Sequence, residues 1–265
     1  MGKLFSTTTP GKNASIFLVF LFFLSTLAGC SQHKVYYKVN HPGKYELADL
    51  GEADDKSGLY RAFKVHDKII FAHTSVIFPT FFSVHLLEHT EIHEGESVLD
   101  IGTGTGVQAM FGAEKASRVL AMDISKQALE NTLVNARRFG VSDKVSVRES
   151  DLFNALKPDE KFDVIISSIP YAWNKKTQGN WKLHERFFQD VGKHLNPNGR
   201  IYFVTGWLKN LDRTKKLVDK NNLRIVRADM IFDKNLQREP IVYLIKHSLP
   251  VSNNVKTKTS LISSD

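Results

Sequence analysis

Asp100-Ile-Gly102-Thr-Gly104-Thr-Gly106 sets a glycine at every second position, directly after the β-prone run Ser97–Ile101. A turn this bare lets a ligand approach backbone that side chains would otherwise shield. If a helix follows, its free N–H groups and dipole attract carboxylates or phosphates. The dinucleotide fingerprint G-x-G-x-x-G needs its third glycine at position 107, and Val107 stands there, which weakens a nicotinamide oxidoreductase reading. Asp123 follows Gly106 by 17 residues and closes the apolar run Val119-Leu-Ala-Met. A carboxylate at such a strand end accepts hydrogen bonds from ribose hydroxyls. Asp151 lies in Ser150-Asp151-Leu152, after a third short strand pattern. A fourth strand pattern runs into Ser168-Ile169-Pro170-Tyr171.

These residues need a scaffold, and the hydrophobic pattern supplies one. Strands are expected at Ser97–Ile101, Arg118–Met122, Val145–Glu149, Phe162–Ser167, Ile201–Thr205, Arg224–Ile231 and Ile241–Ile245. Helices are expected between them at Val107–Ala116, Gln127–Phe139, Lys182–Leu195 and Leu208–Lys220, with a turn at Asn196-Pro-Asn-Gly199. Near-continuous apolar strands alternating with amphipathic helices imply a doubly wound α/β sheet, parallel and covered on both faces. Upstream, Leu59–Thr74 reads as a strand pair turning near His66-Asp67-Lys68, and Pro79 to about Glu91 as a helix. That helix carries His85-Leu-Leu-Glu-His89, spelling the H-x-x-E-H spacing of some zinc proteases. No distal acidic ligand motif accompanies it, so it reads as a solvated helix face and no metal is expected.

The D-x-G-x-G-x-G spelling, with Asp123 and Asp151 in register, resembles motif I and the following strand ends of class I S-adenosylmethionine-dependent methyltransferases. The resemblance spans roughly residues 60–246. It implies a Rossmann-like sheet of seven strands, mostly parallel with an antiparallel last strand. It implies S-adenosylmethionine as cofactor, bound by Asp100, Gly102, Gly104, Gly106, Asp123, Asp151 and Leu152. Ser168-Ile169-Pro170-Tyr171 is similar to the [N/D/S]-P-P-[Y/F/W] motif of amino-methyltransferases and of the small-domain group. There a polar side chain and a backbone carbonyl turn the acceptor nitrogen towards the methyl, which gives Ser168, Pro170 and Tyr171 the acceptor role. Ser168 stands where Asn or Asp is usual, and Ile169 replaces the first proline. Trp173, Trp181 and Trp207 either wall the pocket or fill crevices.

The N-terminus points elsewhere. Lys3 and Lys12 precede an apolar stretch of 16 residues, Ala14 to Gly29, short of the ~20 that a spanning helix needs. Leu27-Ala28-Gly29-Cys30 resembles the lipobox of bacterial lipoproteins, which implies cleavage before Cys30 and lipidation of its thiol. Cys30 is the only cysteine, so no internal disulfide forms. The expected organisation is a signal peptide at 1–29, a polar tether at 30–57, an N-terminal extension at 58–96, the cofactor-binding domain at 97–247 and a disordered tail at 248–265. The net charge of +8, or +6 without the two lysines before Cys30, has no dense basic tract and so does not point to nucleic acid. The expected function is methyl transfer to a nucleophile, nitrogen first, on a protein, nucleic acid or small molecule. The alternative is a lipid-anchored, catalytically inactive binding or scaffold protein that keeps the fold. The lipobox implies a membrane-anchored protein on the periplasmic or outer-membrane side. A start codon downstream of it would instead leave the protein cytoplasmic, where S-adenosylmethionine is made.

Overall fold

The computed structural model describes residues 36–40, 47–53, 58–170, 179–206, 210–231 and 240–248. The central sheet is built from β5 (Ser97–Ile101), β6 (Arg118–Asp123), β7 (Val145–Glu149), β8 (Phe162–Ser167), β9 (Leu195–Gly206), β10 (Leu223–Ile231) and β11 (Pro240–His247). They lie in the order β7-β6-β5-β8-β9-β11-β10, with β11 antiparallel to both neighbours and the others parallel where they pair. This is the expected seven-stranded arrangement. An eighth strand, β1 (Tyr36–Asn40), pairs parallel with β10 and extends the sheet beyond it.

Strand polarity decides the layers. In β5, Leu99 and Ile101 join one buried cluster while Val98 joins another, and Leu120/Met122 against Val119/Ala121 repeat this in β6. The first cluster is closed by α4 (Asn180–Val191) and α5 (Leu211–Lys220), through Phe187, Phe188, Val191 and Val218. The second is closed by α1 (Phe81–His89), α2 (Val107–Gly112) and α3 (Lys126–Phe139), through residues such as Leu86, Met110 and Ala136. Both faces of the sheet are thus covered, as its apolar strands require.

The segment expected to be a tether carries two strands. Besides β1, β2 (Leu47–Glu52) pairs antiparallel with β3 (Tyr60–Val65), which pairs with β4 (Lys68–His73) in a separate three-stranded sheet. β2 lies at the sheet edge and is largely exposed, so its polar composition imitates a linker. The hairpin is latched to α3 by two buried asparagines. Asn135 accepts from the Phe71 N–H and donates to the carbonyls of Phe71 and Thr105. Asn131 accepts from the His73 N–H and also donates to the Phe71 carbonyl.

Some boundaries differ from expectation. α2 ends at Gly112, and residues to Ala116 continue as turns in which i→i+3 bonds tighten the chain. α4 ends at Val191, followed by a single 3-10 turn at Gly192–His194. Asn196–Gly199 form an irregularity inside β9, where the pairing with β8 jumps from Phe162↔Leu195 to Val164↔Arg200. The chain folds so closely there that a Cβ on Gly199 would lie 2.6 Å from Leu195 Cδ1.

Candidate functional site

The three glycines of the turn all have left-handed backbone, with φ of 74°, 56° and 81° at Gly102, Gly104 and Gly106. Only glycine adopts this conformation without strain. Their surroundings differ. A Cβ on Gly102 would come within 3.1 Å of Ile169 Cγ2, and one on Gly106 within 2.9 Å of Thr132 Cγ2. A Cβ on Gly104 would meet none of the described residues within 4 Å. Gly104 therefore floors open space, Gly102 seats the fourth-strand loop and Gly106 lets α2 and α3 close together.

That open space is a cleft of ≈ 460 Å³ at the carboxyl ends of β5, β6 and β8. Asp100, Gly102, Gly104 and Asp123 line its glycine-turn side. Asp151 and Leu152 line a second side, and Ser168 and Pro170 a third. Gly106 is not among the lining residues and packs on Thr132. Tyr171, Trp173 and Trp207 lie outside the described residues, as does Cys30. Trp181 is buried away from the cleft, edge-on to His184 and beneath the Arg213 guanidinium.

The acids are held in place by backbone. Asp123 Oδ2 accepts from the Gly104 N–H at 3.0 Å and Oδ1 from the Ser125 N–H at 2.9 Å. The carboxylate is thus tied to the glycine turn and to the N-cap of α3, and each oxygen retains lone pairs for a further donor. The backbone N–H groups of Gly102 and Thr103 both donate to the Met122 carbonyl, fastening the turn to the end of β6. Asp100 is buried and accepts from the Thr103 hydroxyl at 2.7 Å. Burial, together with the charge of Asp123 and against the Thr103 bond, pushes its carboxyl up to about 7. Asp151 pairs with Arg186 of α4 at 2.8 Å. Leu152 takes left-handed backbone (φ 53°), fixed by the Ser150 hydroxyl donating to its carbonyl at 2.8 Å.

The acceptor end is built differently. The Ser167 hydroxyl donates to the Ile101 carbonyl at 3.1 Å, joining β8 to the residue before Gly102. Ile169 is buried over Gly102, which gives the isoleucine at the usual proline position a packing role. The Pro170 carbonyl lies 3.0 Å from His184 Nε2, and a carbonyl only accepts, so that nitrogen carries the proton. Burial lowers the His184 pKa to about 4, against the Pro170 bond.

His184 and Gln108 are the site-supporting residues that sequence reasoning missed. His184 shares a helical stripe with Phe187, Phe188 and Val191, so a lone imidazole in an apolar face was its only signal. Gln108 is the one amide in the apolar α2, and its Nε2 donates to the Ser83 carbonyl of α1 at 2.8 Å. Both it and Ser83 line the cleft. The rim is apolar: Ile77 and Ile124 line the cleft while 76% and 68% exposed.

A glycine-floored cleft at carboxyl strand ends, with an acid on the second strand, suits a nucleoside joined to a small zwitterion. Among curated proteins the chain resembles the release factor glutamine methyltransferase of Rhodopirellula baltica, 46% identical over 138 residues, covering 51% of this chain and 45% of that protein. It also resembles the ribosomal protein L11 methyltransferase of Caldicellulosiruptor bescii, 34% identical, covering 52% of this chain and 41% of the relative. The chain spans about half the length of the curated relatives it matches. Among solved structures, the tRNA m1G37 methyltransferase of M. jannaschii superposes with a TM-score of 0.59 at 16% identity, covering 72% of this chain and 57% of that one. The ribosomal protein L11 methylase of Lactobacillus delbrueckii subsp. bulgaricus gives 0.54 at 20%, covering 67% and 84%. These two likenesses bear on the fold alone. The family model described as methyltransferase small domain matches residues 65–226, more than half of the chain, and the chain belongs to that family.

Proposed function

We propose that the chain transfers a methyl group from S-adenosylmethionine to a nitrogen atom of a macromolecular acceptor. The observation that carries this reading is the junction of Gly104 and Asp123 on the floor of a cleft that ends at Ser168 and Pro170. The residues fit the cofactor. Open space above Gly104 is where a Cβ would intrude, and the Asp123 carboxylate faces the adjoining wall with lone pairs to spare for hydroxyl donors. Ile124 and Leu152 supply apolar cover for a base.

S-adenosylmethionine bound here supplies an electrophilic methyl on a sulfonium. The chain's own residues then have three tasks. Gly102 and Gly104 present backbone in place of side chains, and Asp123 fixes the ribose end. Ser168 offers a hydroxyl at the acceptor end, where it orients an amino group, while Ile169 and the His184-bound Pro170 hold the loop rigid. Proximity and orientation supply the rate, and no strong base is needed. The curated relatives methylate, by their names, a release factor glutamine, a tRNA adenine N6 and ribosomal protein L11, which supports nitrogen on a macromolecule as the acceptor class.

The replacement of Asn/Asp-Pro by Ser168-Ile169 favours a second reading, a binding protein that keeps the cofactor site without turnover. For the N-terminus we propose lipidation of Cys30 and attachment to a membrane from the periplasmic or outer-membrane side, supported by the Leu27–Cys30 spelling. Among the described residues, no helix is long and apolar enough to cross a membrane. Incorporation of labelled fatty acid, lost in Cys30→Ser, is the expected outcome.

Calorimetric titration with S-adenosylmethionine, S-adenosylhomocysteine and NAD tests the main proposal. The first two should bind and NAD should not, and Asp123→Ala should abolish binding. Binding without methyl transfer to any of the three acceptor classes favours the second reading. Failure of both adenosyl ligands to bind overturns the first.

A further inference from the structure

Away from the cleft, α1 turns one imidazole into the core instead of presenting the solvated face expected of His85-Leu-Leu-Glu-His89. His85 is fully buried, and its Nε2 lies 3.2 Å from the Asp229 carbonyl. Nε2 therefore carries the ring proton and Nδ1 keeps its lone pair. Among the described residues that buried Nδ1 has no hydrogen-bond partner, an arrangement that native proteins rarely leave unexplained. One helical turn on, the His89 ring lies 4.2 Å from the His85 ring, and its Nδ1 is 2.9 Å from the His85 carbonyl. The same logic puts the proton of His89 on Nδ1 and the lone pair on Nε2. Each ring donates one N–H to a backbone carbonyl, as metal-ligating histidines do. Glu88 completes the group: one donor atom from each of His85, Glu88 and His89 lies within 4.8 Å of the other two. None of the three lines the cleft.

We propose that His85, Glu88 and His89 bind a divalent transition cation, Zn²⁺ in the first instance. Two imidazoles and a carboxylate form a familiar zinc donor set, with water in the fourth position. Bonds of about 2.0–2.2 Å place tetrahedral donors about 3.3–3.6 Å apart, so the group must contract by roughly an ångström. The contraction falls on exposed Glu88 and half-buried His89, while His85 stays on Asp229. All three donors lie on α1, whose last turn the His85–Asp229 bond ties to β10. α1 also carries Ser83, which lines the cleft and holds Gln108. The site does not depend on methyl transfer.

The test is a titration of the metal-free, untagged full chain with Zn²⁺ by calorimetry and with Co²⁺ by visible absorption. One Zn²⁺ per chain, a raised thermal midpoint and Co²⁺ bands of a four-coordinate nitrogen–oxygen site are expected. His85 sits in the core and its removal risks unfolding, so the deciding variants are His89→Gln and Glu88→Gln, each measured for thermal midpoint without metal. Both should remain folded without metal and lose Zn²⁺ affinity by at least about tenfold. Absence of saturable binding overturns the proposal. So does affinity unchanged in both variants, or a thiolate charge-transfer band that assigns the ion to Cys30.

Discussion

Alanine at Gly104 and alanine at Gly106 should fail in opposite ways. At Gly104 the backbone φ of 56° strains any L residue, but the new Cβ meets no atom of the described residues within 4 Å. The stability cost is then the left-handed strain alone, about 1–2 kcal/mol. At Gly106 the same strain is joined by overlap with Thr132, whose Cγ2, Oγ1 and Cα lie 2.9, 3.0 and 3.2 Å from the added atom. The side-chain atoms can rotate aside, but the Cα cannot. Overpacking of this kind adds about 1–3 kcal/mol, for a total of about 2–5. Against a typical stability of about 5–15 kcal/mol, both variants should fold. Their binding should run the other way. The Gly104 methyl fills space assigned to the cofactor and should weaken S-adenosylmethionine by at least about tenfold, or ~1.4 kcal/mol. Gly106 lies outside the cleft lining, so its variant should bind nearly as wild type while folded. Urea unfolding reads the first quantity, through the midpoint at constant slope, and calorimetry the second. Adding Thr132→Ala to Gly106→Ala removes two of the three close atoms and should recover about 1–2 kcal/mol. Undiminished binding by Gly104→Ala, or greater destabilisation there than at Gly106, would refute the division of labour in the turn.

Asp100→Asn should stabilise the protein, in a pH-dependent way. Its carboxyl rises from an unfolded value of about 3.9 to about 7 in the fold, so the penalty is absent below pH ~4, grows to pH ~7 and stays constant above. Roughly three units set a ceiling of ~4 kcal/mol, and weakened bonds from Thr103 and Ala109 reduce the expected gain to about 1–3 kcal/mol at pH 8. An equal gain at pH 4 and pH 8, by urea unfolding, contradicts this. His85 and His184 act with the opposite slope: their folded values of about 3 and about 4 lie below the unfolded ~6.5. Stability should fall as pH drops from ~6.5 towards 4, and thermal midpoints should show a smaller drop for His184→Leu than for wild type. Asn135→Leu orphans the Phe71 N–H and the Thr105 carbonyl and leaves the Phe71 carbonyl to Asn131 alone. A loss of about 3–5 kcal/mol in urea is expected, and a loss below about 1 would show these bonds to be dispensable.

The strands that carry chemistry were legible because a doubly covered sheet makes them apolar runs. Ser97–Ile101, Val145–Glu149 and Phe162–Ser167 lie where their sequences place them. The cleft's acids were legible for a related reason, since Asp100, Asp123 and Asp151 lie at or just beyond the carboxyl ends of such runs. What pattern could not reveal depends on partners distant in sequence. The spacing of Gly106 says that glycine is needed but not that Thr132 occupies the space of its Cβ. His184 acts on Pro170, 14 residues away, and Gln108 on Ser83, 25 away, through bonds with no periodic trace. β2 was hidden because an exposed edge strand needs no apolar alternation, and a polar strand reads as a linker until its partner is known.

The amide of Asn135 has a further consequence. One NH₂ group serves both the Phe71 carbonyl in the hairpin and the Thr105 carbonyl between two glycines of the turn. A ligand that stiffens the turn therefore also narrows the motion of the side chain that pins β4. The hairpin becomes a remote gauge of occupancy: the Phe71 and His73 amide protons, bonded to Asn135 and Asn131, should exchange with solvent more slowly when the cleft is filled. Such a signal would report on any compound entering the cleft, whether or not its methyl acceptor is in hand.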